Sequence, residues 1–373
     1  MTRGADEFTG TTAVRDIHKF DELRLTRWMG EFVEDFAGPL VVEQFKGGQS
    51  NPTYKLTTRG KTYVLRRKPS GALLKGAHAV EREVQVLRAL EQVDFPAAHV
   101  HALCTDSDVI GTWFYVMDWV DGRIFWDATL PNVSDTTRSL YFDAMNEAMA
   151  RLHSLDYRAI GLEDYGRPGN FFERQISRWS KQYLTDAPDA GRNAHMERLI
   201  EWLPAHFPTD HVTSLIHGDF RVDNLIFHPA EPRILAVLDW ELSTLGHPIA
   251  DFAYHLMMYR LPPRVISGLA GAHLESLNIP SEADYVAAYC RRTGREGIAQ
   301  LNFYMAFNMF RLAAIFHGIK GRLARGTAAS PRGKDYADEF EWMAESGWRQ
   351  AQRSNFDVGP TSPPRAGRQD DAR

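Results

Sequence analysis

Cysteine is almost absent: Cys104 and Cys290 are the only two in 373 residues. They stand far apart with no Cys-x-x-Cys spacing, which excludes a disulfide framework and a zinc site of thiolates and fits a reducing, cytoplasmic setting. Long apolar runs are missing too. No uninterrupted stretch is long enough to cross a bilayer, so no membrane role is expected. Positive charge is not in excess either, with 43 Lys and Arg against 48 Asp and Glu, so nothing global points to nucleic acid. The opening MTRGADEFTG has no apolar core, and no signal peptide is expected. Residues 1–18 and 355–373 lack a hydrophobic face and read as disordered. No internal repeat is visible.

What remains is ordinary globular composition in a chain long enough for two lobes. Apolar and charged positions alternate at helical spacing from Phe20 to Phe36, which predicts a leading helix. The runs around Val41–Phe45, Tyr54–Thr57 and Thr62–Leu65 are separated by tight, glycine-containing turns, as in three antiparallel strands. Ala77–Leu90 carries Val80, Val84, Leu87 and Leu90 on one face of a helix. Two more strands are expected at Val100–Leu103 and Trp113–Trp119. After Gly122 helical periods dominate, at Leu140–Leu155, Phe171–Tyr183, Met196–His206, Ile249–Tyr259, Glu282–Arg292, Leu301–Ile319 and Asp335–Arg353. The expected class is α+β: an antiparallel-sheet N-lobe with one inserted helix and a leading helix at 19–117, a hinge at 118–122, and a mainly helical C-lobe at 123–354.

Short strands around Leu225–Phe227 and Leu235–Leu238 interrupt the helices, and they bracket the most informative segment, LIHGDFRVDNLIFHPAEPRILAVLDWE at 215–241. A sharp loop between buried strands presents His217, Asp219, Arg221, Asp223 and Asn224 to a cleft. Asp219 can orient a hydroxyl and take its proton. Asn224, five residues on, offers a neutral oxygen to a hard cation, and Asp239 a charged one. Single aspartates are usually turn or cap residues; His-x-Asp-x-x-x-x-Asn followed by a strand and Asp-Trp-Glu is far more specific than that. A metal-hydrolase reading from His217, Asp219, His228 and His247 is poor, since the histidines share no helical face and Asn224 has no role in it.

This segment resembles the catalytic and metal-binding loops of the aminoglycoside phosphotransferase/choline kinase branch of the protein-kinase-like fold. The resemblance implies a two-lobed kinase-like fold using ATP and Mg2+. Asp219 matches the catalytic aspartate, Asn224 and Asp239 the magnesium ligands, and His217 a histidine that stabilises the loop. Asp251 matches an aspartate that braces the loop, and a plain helix cap explains it equally well. Gly47, Gly48, Gln49, Ser50 and Asn51 lie in the turn between the first two strands, where backbone N–H groups can close over a phosphate. Gly71–Gly76 mimics the start of a P-loop, but Ala77 and His78 replace its Lys and Ser/Thr. Arg66 falls where protein kinases keep a lysine; it can grip phosphate, although strand alternation puts Lys68 on the same face. Glu83, with Glu81 as competitor, matches the partner of that cation. Val64 and Met117 would wall an adenine site at a hinge carrying Asp118 and Trp119.

Longer stretches narrow the resemblance. GGQSNPTY, YVLRRKPSG, HAVEREVQVLRAL, FYVMDWVDGRIF, RPGNFFERQISRW and FRLAAIFHGIKGR resemble the kinase-like domain of acyl-CoA dehydrogenase family members ten and eleven and their stand-alone bacterial relatives. That implies phosphorylation of the hydroxyl of a hydroxyacyl-CoA, 4-hydroxyacyl-CoA in particular, with a separate acyl-CoA dehydrogenase as metabolic partner. Independently, Arg311–Lys334 carries six basic residues and no acidic one, which suits an anionic acceptor or, equally, a solvated helix end. Arg167, Arg174, Arg178 and Arg311 are the candidate acceptor contacts. A kinase for choline, an aminoglycoside or a sugar-type alcohol remains open, as does a nucleotide-binding pseudokinase, which only the arginine at 66 encourages.

Overall fold

The computed structural model describes residues 9–46, 51–69, 78–167, 169–263, 267–327 and 333–353. The expectations for Gly47, Gly48, Gln49 and Ser50, for the 71–76 turn and for the 355–373 tail lie outside the described residues. In chain order the strands are β1 (Thr11–Thr12), β2 (Val41–Phe45), β3 (Thr53–Thr57), β4 (Thr62–Arg67), β5 (Val100–Cys104), β6 (Phe114–Asp118), β7 (Ser214–Ile216), β8 (Leu225–Phe227), β9 (Ile234–Val237) and β10 (Thr244–Gly246). The helices are α1 (Glu22–Phe32), α2 (Val80–Glu91), α3 (Ser107–Ile110), α4 (Asp135–His153), α5 (Phe171–Ala190), α6 (Ala194–Trp202), α7 (Pro248–Leu256), α8 (Glu282–Thr293), α9 (Leu301–Ala324), α10 (Gly333–Asp338) and α11 (Phe340–Ala351).

Six strands form one antiparallel sheet in the order β1-β2-β3-β4-β6-β5. Its register fixes two faces. Tyr54 pairs with Leu65 and Lys55 with Val64, and Val64 pairs in turn with Met117. Since successive side chains alternate, Tyr54, Leu56, Tyr63 and Leu65 share the outer face. There they are buried by Leu25, Trp28 and Met29 of α1. The Asp21 side chain caps α1 by accepting from the amides of Leu23 and Arg24. Val64, Arg66, Tyr115 and Met117 point the other way, toward α2 and the C-lobe.

Residues 9–18 depart from the expected disorder. β1 pairs with β2, the Thr11 hydroxyl donates to Glu43 at 2.8 Å, and the Arg15 amide to the Gln44 side chain at 3.1 Å. The His18 carbonyl accepts from Tyr54 and Arg67, each at 3.2 Å. These partners lie far along the chain, so local composition carries no sign of them.

The C-lobe is built round α9, which is buried on nearly every side, as expected of a helix that is apolar all round. α5, α7 and α11 pack on it, and no helix among the described residues is long and apolar enough to cross a membrane. Two small antiparallel pairs, β7 with β10 and the hairpin of β8 with β9, flank the 217–224 loop. The connection from the sheet passes tightly over β8: Arg123 and Phe227 exchange both backbone hydrogen bonds at 2.8 Å. A Cβ at Gly122 would lie 2.4 Å from the Phe227 carbonyl, so only glycine fits that crossing.

Candidate active site

The 217–224 loop is held from beneath by α7. Asp251, in its first turn, accepts from the backbone amides of His217 at 2.7 Å and Gly218 at 2.8 Å, and meets His153 Nε2 at 3.2 Å. Burial works against its charge, but the hydrogen bond from His153 and that from the His217 amide outweigh burial and hold the carboxyl below its ordinary range. Asp251 therefore braces the loop rather than merely starting a helix. Gly218 has φ of +84°, and a Cβ there would lie 2.8 Å from the Leu242 carbonyl. The His217 ring joins two loops. Its Nδ1 accepts from the Asp219 amide at 3.2 Å, so its Nε2 carries the proton and donates to the Leu238 carbonyl at 2.8 Å.

Asp239 follows directly. The amide of Leu238 donates to the Asn224 carbonyl at 2.8 Å, so both backbone groups of Leu238 are tied to the 217–224 loop. Asp239 itself adopts φ of +65°, an uncommon conformation for a side-chain-bearing residue that turns the chain sharply out of β9. Asn224 spends its amide nitrogen on Asp219, on the backbone carbonyl at 2.9 Å and on Oδ2 at 3.2 Å. Its amide oxygen is the end left for a cation. The donor set is thus one amide oxygen and one carboxylate, the hard-oxygen chemistry that suits Mg2+.

The Asp219 carboxylate accepts from the Tyr254 hydroxyl at 2.5 Å through Oδ1, which also lies 3.4 Å from Arg221 Nε. Arg221 bonds Asp223 at 2.9 Å. Burial opposes the Arg221 charge, and Asp219 and Asp223 outweigh burial.

Facing this loop, Arg66 reaches across from β4. Its Nε lies 2.9 Å from Glu83, and its Nη2 donates to Asp239 at 2.6 Å and approaches Glu241 at 3.4 Å. Burial disfavours the guanidinium, yet Asp239 and Glu83 more than compensate and raise its pKa. Burial pushes the Glu83 carboxyl up while Arg66 pulls it down, and Tyr115 donates to it at 3.0 Å. The competing pair is separate: Lys68 binds Glu81 at 2.7 Å and covers the Trp113 ring. Asn51 is buried, with its nitrogen on Glu83 and Glu241 and its oxygen on His78. Its side chain therefore joins this ion cluster.

Phe45, Lys55, Val64 and Met117 line the inner face of the sheet by register. Trp119 stacks on Phe45 at 5.9 Å, with Lys55 above its ring at 4.8 Å. Asp118 ends β6. Its amide is bonded to the His99 carbonyl, and its carboxylate binds Lys61 and His101. Sequence reasoning missed Tyr254, Tyr115, Glu241, Phe45 and Lys55. Only Glu241 had a local signal, its place in Asp-Trp-Glu.

The candidate acceptor arginines disperse. Arg311 donates to the Gly218 carbonyl at 2.7 Å and sits over the Tyr254 ring. Arg174 donates to the carbonyls of Gly169 and Arg167, while Arg167 and Arg178 are exposed. In the basic segment, Lys320 pairs with Glu341, Arg325 with Asp186 and Asp189, and Lys334 with Asp338.

Residues 41–301 match the phosphotransferase enzyme family. A solved protein from Ralstonia eutropha JMP134, provisionally assigned as an aminoglycoside phosphotransferase, is 50% identical, with a TM-score of 0.82 over 90% of this chain and 99% of that one. Mouse acyl-CoA dehydrogenase family member 10 is 44% identical over 86% of this chain and 30% of its own length. Human acyl-CoA dehydrogenase family member 11 is 39% identical over 96% and 47%. The chain thus spans less than half the length of these two relatives. A choline kinase from Cryptosporidium parvum shares the fold at 12% identity and a TM-score of 0.56, over 88% of this chain and 98% of that one.

Proposed function

We propose, on the premise that this chain belongs to the phosphotransferase enzyme family and is a phosphotransferase with an alcohol group as acceptor, that it moves the γ-phosphoryl group of ATP to the hydroxyl of a hydroxyacyl-CoA. 4-Hydroxyacyl-CoA is the preferred acceptor, in a cytoplasmic pathway of hydroxy-acid breakdown served by a separate acyl-CoA dehydrogenase. The nucleotide belongs between the 19–117 lobe and the 123–354 lobe, against Val64, Met117 and Trp119. The observation that carries the chemistry is Leu238, whose two backbone bonds tie Asp239 to the loop bearing Asp219 and Asn224. Asp219 orients the alcohol and takes its proton late. Asn224 and Asp239 would hold Mg2+, which when bound supplies charge neutralisation at the phosphates. Arg66, anchored by Glu83, adds a fixed cation beside Asp239.

The acceptor rests on the relatives whose names contain acyl-CoA dehydrogenase. An aminoglycoside acceptor is favoured by one observation, the assignment of the 50% identical Ralstonia protein. A single mass-spectrometric screen separates them: protein, ATP and Mg2+ with 3-, 4- and 5-hydroxyacyl-CoAs, free hydroxy acids, choline and kanamycin. One added phosphate on the 4-hydroxyacyl-CoA is expected, and phosphate on choline or kanamycin alone sinks the assignment. Asp219→Asn should leave the fold intact and lower turnover about 10²–10⁴-fold. Unchanged turnover removes Asp219 from the mechanism.

A further inference from the structure

Asp251 and Tyr254 are three residues apart on α7, so they share one face of that helix. Both reach the 217–224 loop. Asp251 holds the backbone amides of His217 and Gly218, and the Tyr254 hydroxyl bonds Oδ1 of Asp219 at 2.5 Å. The Tyr254 ring is itself fixed. The Arg311 guanidinium lies over it at 5.1 Å and is anchored at its far end on the Gly218 carbonyl, 2.7 Å away. The carboxylate is therefore gripped on both oxygens, with Tyr254 and Arg221 at Oδ1 and Asn224 at Oδ2. Of these contacts the tyrosine's is the shortest, and a charge-assisted O–H bond of this length is a strong one.

We propose that Tyr254 is a positioning residue for phosphoryl transfer: its short bond fixes Oδ1 of Asp219, so that the acceptor alcohol meets Oδ2, which holds the longer 3.2 Å bond from Asn224 and keeps its second lone pair for the hydroxyl. This rests on the reading of Asp219 as the group that receives the alcohol. In the step itself the alcohol proton passes to Oδ2 as the alcohol oxygen bonds the γ-phosphorus. The bond from that phosphorus to the bridging oxygen breaks, and ADP leaves with the electron pair. Tyr254 exchanges no proton; it fixes the angle at which the carboxylate meets the hydroxyl. Burial, and next the Asp219 charge, push its own pKa well up, so it stays a neutral donor. Arg311, expected at the acceptor, serves here as the brace of the tyrosine ring.

The ring also lines a cavity of about 20 Å³ with Phe220, Val222, Met257, Met258 and Leu261. Truncation to alanine would enlarge that cavity and confuse shape with chemistry. The informative variant is Tyr254→Phe, compared with wild type and Asp219→Asn in the full chain. Transfer is measured on 4-hydroxypentanoyl-CoA or, should that acceptor fail, on whichever of choline and kanamycin takes the phosphate, alongside ADP release into water. For Tyr254→Phe we expect kcat of transfer to fall roughly ten- to a hundredfold, less than on removing the base. KM for ATP should stay unchanged, the melting temperature should fall by no more than the few degrees that one lost hydrogen bond costs, and ADP release into water, which needs no oriented alcohol, should fall less than transfer. Unchanged kcat overturns the proposal, and so does a fall in kcat with a matching rise in KM for ATP and a lower melting temperature. If Asp219→Asn has no effect, it is the reading of the base that fails instead.

Discussion

Arg66→Lys tests why this chain carries arginine where protein kinases carry lysine. The guanidinium is used as a fork. Nε serves Glu83 at 2.9 Å, while Nη2 serves Asp239 at 2.6 Å and Glu241 at 3.4 Å. A lysine brings one nitrogen on an unbranched stem and can satisfy one side of that bridge, not both. If it stays with Asp239, Glu83 still keeps Asn51 and Tyr115, each at 3.0 Å, so no buried carboxylate is stranded. The expected loss is then one charge-assisted hydrogen bond, about 1.5–3 kcal/mol. At about 1.4 kcal/mol per decade, that is roughly ten- to a hundredfold, divided between fold and transition state. The Arg66→Lys variant should lose about tenfold or more in kcat/KM for ATP and melt a few degrees lower. Steady-state kinetics over ATP and a thermal melt, read on one preparation, check both. If kcat/KM and melting temperature both match wild type, the fork is dispensable and the bridge from Glu83 to Asp239 does not organise the site.

Gly218→Ala should cost about 1–3 kcal/mol of stability and most of the activity, because φ is +84° and the new Cβ would meet the Leu242 carbonyl at 2.8 Å; urea denaturation and a turnover assay read the two effects. Asp251 titrates below its ordinary range when folded. Its contribution is therefore fully present above the unfolded aspartate pKa of about 3.9 and fades as pH falls through the folded value. Asp251→Asn cannot accept both loop amides on one oxygen without turning its own N–H groups on another donor. A loss of about 2–4 kcal/mol at pH 7 is expected, with the gap to wild type narrowing below about pH 4. A constant gap across a pH series of denaturation curves would contradict this account.

Local spacing made the chemistry legible. The residues from His217 to Asp239 sit in one segment, and their offsets survive any arrangement of the rest of the chain. Helical periods gave the C-lobe in the same way, although α9 continues past Ile319 to Ala324. What the sequence hides is pairing at a distance. Tyr254 meets Asp219 across 35 positions, and Glu241 meets Arg66 across 175. β1 and β10 are two- and three-residue strands whose only signal is a distant partner. The choice between Glu81 and Glu83 was open because both are helix charges near two cations. It closes once β4 directs Arg66 and Lys68 to different partners.

The same hidden pairing changes the case for an anionic acceptor. The basic segment at 311–334 loses most of its free charge, since Arg311, Lys320, Arg325 and Lys334 each have a partner within the protein. Local field then has to come from elsewhere, and the start of α5 is the better source. Arg167 is exposed, and Arg174 lies close enough that burial, and next the Arg167 charge, lower its pKa. Two cations drawn together reinforce one another's field toward an anion. The first turn of α5 adds backbone N–H groups that receive no side-chain cap from Asn170. The Arg174 guanidinium is itself spent on the Gly169 and Arg167 carbonyls, so the phosphates of a CoA-linked acceptor are better sought beside exposed Arg167 than along α9. On this reading, neutralising Arg167 should weaken a CoA-linked acceptor more than a free hydroxy acid.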